Sequence, residues 1–96
     1  LRSRLQFGAV EIDANARAAY LDHQQVDLTP REWAILDALA TRAGRIVSKH
    51  DLETLVAGMD GDISSNTLEV HIFNLRRKLG RGLVENVRGH GYRIAG

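Results

Sequence analysis

The tetrapeptide Thr29-Pro30-Arg31-Glu32 constrains this chain more than any other segment. A capping hydroxyl, Pro at the first helical position and Glu at the third make a full capping box, so a helix begins at residue 30. Everything before it follows a different period. Residues 5–28 run in short, roughly alternating pieces, Leu5/Phe7, Val10/Ile12, Ala18/Tyr20 and Val26/Leu28, parted by turn-prone Gly8, Asp13-Ala14-Asn15 and Asp22-His23. The pattern predicts a four-stranded antiparallel meander.

After the capping box, Trp33, Ile35, Leu36 and Leu39 recur at helical spacing, and Gly44 is expected to end that helix. An extended piece over 45–47 leads to Ser48-Lys49-His50-Asp51, a second cap followed by Leu52, Leu55 and Val56. Gly58 ends this short helix, and residues 57–64 read as a glycine- and acid-containing surface loop. A third helix is expected over 66–79, with Asn66 or Ser65 as cap, Glu69 in its first turn and Gly80 after it. Its core stripe is Leu68, Ile72, Leu75 and Leu79, and a neighbouring stripe carries Thr67, Val70, His71, Asn74 and Lys78. Residues 83–88 and 91–94 then read as two strands joined around Gly89-His90-Gly91, a hairpin over 83–95 with Arg88 at its tip. The fold class is α+β: an N-terminal four-stranded sheet, three helices and a C-terminal hairpin.

Composition bounds this reading. The chain has 96 residues, 44% of them hydrophobic and 26% charged, which suits one small domain. Residues 1–4 read as the remnant of a linker and 5–96 as the domain, the start at Leu1 implying a fragment of a longer chain. With no cysteine there is neither a disulfide nor a thiolate metal site, as a reducing cytoplasm would suit. No apolar run approaches the roughly 20 residues of a membrane span. Net charge is only +1, but it is unevenly placed. Residues 1–64 hold seven Lys/Arg against ten Asp/Glu, whereas 65–96 hold six against two. An anion belongs at the basic end.

A helix that shows Thr, Val, His and Asn on its outer side, in place of the usual Glu and Lys, has side chains suited to base edges in a major groove. Asn74 is the candidate for a bidentate contact to adenine and Val70 for a thymine methyl. Thr67, His71, Arg76, Arg77 and Lys78 around them are candidate phosphate contacts, and Arg88 on its glycine-flanked hairpin is the candidate for a minor groove.

The order of elements and the motifs Leu28-Thr29-Pro30-Arg31-Glu32, GRIVSKHDL at 44–52, Val70-His71-Ile72-Phe73-Asn74-Leu75-Arg76-Arg77-Lys78-Leu79 and Val87-Arg88-Gly89-His90-Gly91-Tyr92-Arg93 resemble the effector domain of OmpR/PhoB response regulators. The stretch 65–69 is similar to the PmrA/QseB subgroup. The resemblance implies a winged helix-turn-helix that binds double-stranded DNA as tandem pairs on direct repeats. Helix three would lie in the major groove and the wing in the minor groove. It implies base contacts from Val70 and Asn74, phosphate contacts from Thr67, His71, Arg76 and Tyr92, and a minor-groove contact from Arg88. The loop before helix three, with Gly58, Asp60, Gly61 and Asp62, would meet RNA polymerase, although it lacks the Trp some members carry. Further partners implied are a second copy of the chain on DNA and an N-terminal receiver domain. Asn74 stands where many members have Arg, which favours an adenine-containing site.

Other chemistries find little footing. His23, His50, His71 and His90 fall on four separate elements without ligand spacing, so no metal and no cofactor is expected. Asp60 and Asp62 have no nucleophile nearby, so catalysis is not expected. Trp33 reads as a core aromatic. The competing function is a winged-helix module that docks a protein. Such a face would need large apolar anchors, and only Phe73 lies near the outer side.

Overall fold

The structure, a computed structural model, describes residues 4–57 and 67–94. Strands β1 (Arg4–Phe7), β2 (Val10–Asp13), β3 (Ala18–Leu21) and β4 (Gln24–Val26) form an antiparallel meander in sequential order. Alternation sets its faces: Val10 and Ile12 are buried while Glu11 and Asp13 point toward Arg4, which pairs with both. The β3–β4 turn is Asp22-His23, both with positive φ (51° and 69°), the two-residue geometry that matches strand twist. Arg4 already belongs to β1, one residue earlier than the alternation indicated, and Leu28 lies beyond β4.

Helix α1 (Pro30–Ala40) starts as the capping box requires. The Glu32 amide donates to Thr29 Oγ1 at 3.2 Å and the Thr29 amide donates to Glu32 Oε1 at 3.0 Å. It ends earlier than the glycine suggested, at Ala40 with Thr41 as cap, because Thr41, Arg42 and Ala43 wind down through turn hydrogen bonds. Gly44 (φ +83°) closes that turn and donates its amide to the Ile94 carbonyl at 3.2 Å. In α2 (Lys49–Ala57), the Asp51 amide donates to Ser48 Oγ at 3.0 Å, the expected cap. Helix α3 is described over Thr67–Leu79, so its cap at residue 65 or 66 and the end of α2 at Gly58 lie outside the described residues.

All four residues of the α3 apolar stripe are buried, alongside Trp33, Ile35, Leu36 and Leu39 of α1 and Leu52 and Val56 of α2. The C-terminal hairpin is β5 (Val84–Val87) and β6 (Gly91–Ile94), in register from Val84↔Ile94 to Val87↔Gly91. It is seated on the body through the α1–α2 connector, where Val47 and Tyr92 exchange both backbone hydrogen bonds at 2.8 and 2.9 Å. Gly91 makes this contact possible. A Cβ there would lie 2.2 Å from the Val47 carbonyl oxygen, and its φ of +149° disfavours any side chain.

Leu75→Ala is expected to cost about 2–5 kcal/mol as a core deletion, read from urea unfolding. A midpoint equal to the parent's would mean Leu75 is not in the core. Gly91→Ala should also lower the midpoint, and amide exchange should speed up at Val47 and Tyr92 while the α1 amides keep their protection.

Candidate nucleic-acid interface

Opposite the buried stripe, α3 shows Val70 at 51% and Phe73 at 64% exposure, with Arg77 exposed beyond them. These three fall at i, i+3 and i+7, one straight row along the helix. Asn74 flanks the row, half-buried, and its Oδ1 accepts a bond from Arg77 Nη2 at 3.4 Å. An open groove of about 700 Å³ continues from the row, bordered by Phe73, Arg76, Arg77, Gly80 and Arg81. Arg88 is exposed in the wing loop, where the His90 amide donates to the Val87 carbonyl at 2.9 Å. Among the described residues no carboxylate lies within ion-pair distance of Arg77, Arg81 or Arg88.

The other basic residues singled out from the sequence are tied within the domain. Arg76 donates through Nε and Nη2 to the Val84 carbonyl at 3.2 and 3.1 Å, which fastens the last turn of α3 to β5. Lys78 Nζ lies 2.7 Å from Glu32 Oε1, and that carboxylate is only 2% exposed. Arg93 pairs with Glu85 across the wing. Tyr92 is a buried member of the core cluster. Both ring nitrogens of His71 are buried without a hydrogen-bond partner among the described residues. Of Thr67 only its place at the start of α3 is described, and Gly58, Asp60, Gly61 and Asp62 lie outside the described residues.

The outward row is thus turned about one residue from the stripe read in the sequence, toward Phe73 and Arg77 and away from His71 and Lys78. Spacing could have shown part of this, since Val70 and Arg77 are the positions farthest around the helix from Leu68, Ile72, Leu75 and Leu79, with Phe73 and Asn74 equally far to either side. Lone spacing could not show that Glu32, 46 residues away, claims Lys78.

Residues 23–94 match the family described as transcriptional regulatory protein, C terminal. The chain belongs to the OmpR/PhoB family. Among its relatives, the response regulator protein PmrA of Pseudomonas aeruginosa is 42% identical over 95% of this chain and 41% of that protein. BasR of Escherichia coli is 37% identical over 96% and 41%. The chain therefore spans about two-fifths of the length of such relatives. Of solved structures, the DNA-binding domain of CpxR from E. coli superimposes with a TM-score of 0.80 at 31% identity, covering 97% of this chain and 96% of that one. The Klebsiella pneumoniae RstA DNA-binding domain in complex with its RstA box gives 0.75 at 27% identity, with 98% of each chain covered. The four-stranded sheet, three helices and terminal hairpin are the architecture of OmpR/PhoB domains, as the motifs implied.

Burial holds the His71 imidazole below its ordinary pKa, with Arg31 acting in the same direction and Glu32 opposing. A group with a lowered folded pKa takes up its proton first in the unfolded chain. Stability should therefore fall as pH drops through the ordinary histidine range, about 6.5. Chemical denaturation between pH 7.5 and 5.5 tests this. The decline should shrink in His71→Gln, and an equal decline in that variant would assign it to other groups. Lys78→Met leaves the Glu32 carboxylate buried without its cation and is expected to cost about 3–5 kcal/mol. In Glu32→Gln/Lys78→Met the loss should be smaller than the sum of the single losses.

Proposed function

We propose that this domain is the DNA-binding effector part of a response regulator controlling transcription, with α3 in the major groove and the wing tip at the adjacent minor groove. The division of α3 carries this reading. One side is wholly buried, and the other combines Val70, Phe73 and Asn74 with Arg77, and with Arg81 just past the helix end, neither of which has an ion-pair partner among the described residues. Short apolar and amide groups can meet base edges, while guanidinium groups at the margins meet phosphates. Arg88 supplies the cation that a narrow minor groove attracts. The likeness to a domain solved on its DNA box adds to this reading.

Roles follow from which side chains are available. Val70 and Asn74 address bases, and Arg77 and Arg81 address the backbone. His71 and Tyr92 reach phosphates only if their buried edges become exposed. Arg76 and Lys78 act mainly by holding the wing and α1 against α3. Two domains would occupy direct repeats head to tail. The remainder of a full-length protein would supply a receiver domain, with cytoplasmic RNA polymerase as the further partner, met through residues 57–64. Phe73 favours a second reading, protein docking, because it is the largest exposed apolar side chain described.

Selection from a randomised duplex library near physiological salt tests the proposal. Two direct repeats with centres about 10–10.5 base pairs apart are expected. Salt-sensitive retention of every sequence alike would overturn sequence-specific recognition and bring protein docking forward. Asn74→Ala should relax preference at one base position. Arg77→Ala should weaken all sequences alike and reduce the dependence on log salt by about one unit. Arg76→Ala should instead loosen the wing, visible as faster amide exchange in β5.

A further inference from the structure

Phe73 is the most exposed large apolar side chain described, and it stands one helical turn from Val70, itself half in solvent. Neither belongs to the core cluster. The row they form ends in Arg77, and the ring of Phe73 borders the same groove as Arg76, Arg77 and Arg81. An apolar pair set beside guanidinium groups suits a surface that is anionic at its edges and carries apolar points between them. Duplex DNA has that layout in its major groove, where phosphates flank the thymine C5-methyl groups. An acidic protein segment would share the charge, but not a regular spacing of methyl groups.

The spacing agrees. Three residues advance about 4.5 Å along a helix, and successive base pairs about 3.4 Å along the duplex. Side chains at i and i+3 on an outward row therefore fall against neighbouring base pairs. We propose that Phe73 is a second specificity-determining residue beside Val70, the two reading the methyl groups of two adjacent thymines. The inference rests on the DNA-binding reading above. It assigns sequence information to a position where spacing alone gave only an unexplained aromatic. Asn74, beside the pair, would then read an adenine next to the thymine step.

The test removes the methyl and nothing else. In the operator recovered by selection, each thymine is replaced singly by deoxyuridine, and binding of the 96-residue domain is measured at fixed salt. Loss of one buried methyl is expected to weaken binding about fourfold, at two adjacent positions. Phe73→Ala should abolish the thymine-over-uracil preference at one of them and Val70→Ala at the other, while Phe73→Leu keeps part of it. Phe73 is exposed, so the unfolding midpoint of Phe73→Ala should equal the parent's, separating recognition from folding. Indifference of the parent to every methyl, or a full preference retained by Phe73→Ala, would overturn the proposal while sequence-selective binding stands. Absence of any sequence-selective binding by the parent would overturn the DNA-binding reading and this proposal with it.

Discussion

The carboxylate of Glu32 organises the molecule. Its Oε1 accepts from the Thr29 amide, completing the cap of α1, and also receives Lys78 from the last turn of α3. A charge buried this deeply is tolerated only when it is paired and hydrogen-bonded, so the geometry of the pair is narrowly fixed. It sets where the end of α3 lies against the start of α1. From there the constraint passes to Arg76, two residues back, whose guanidinium holds the Val84 carbonyl and so positions the wing. A cap that looks local in the sequence thus governs the relation between α3 and the hairpin.

Legibility followed the range of each interaction. The capping box of α1, the Ser48 cap of α2, the β3–β4 turn and the buried stripe of α3 are written in residues within one or two turns of each other, and sequence spacing suffices to read them. The end of α1 was misplaced because Gly44 has a positive φ for another purpose. It lets the chain reach the Ile94 carbonyl, a contact 50 residues away. The roles of Arg76 and Lys78 were obscured for the same reason. Both are basic residues in the last turn of a helix, where a favourable dipole and a solvent-facing position are the ordinary expectation. Only the fold shows that each has an acceptor in another element, Val84 of β5 for Arg76 and Glu32 of α1 for Lys78.

This chain keeps its exposed cations and its exposed apolar groups in adjoining places on the surface. Exposed cations, Arg77, Arg81 and Arg88, stand at the margin of α3 and on the wing, and Val70 and Phe73 lie along one row beside them. Affinity and selectivity can then vary separately. On the proposed roles, a change at Arg77 would alter how strongly all DNA is held and a change at Phe73 which DNA is held, since neither side chain belongs to the core.

Gly91 lets β6 lie backbone to backbone against Val47, with no side chain between them to act as a bearing. The hairpin is therefore fastened to the connector through its backbone. On the proposed docking, the span from α3 to Arg88 would act as a fixed caliper. A duplex whose groove separation differs from that span would then have to bend or narrow to fit. Sequences that deform easily between the two contacts would be favoured at base pairs no side chain touches.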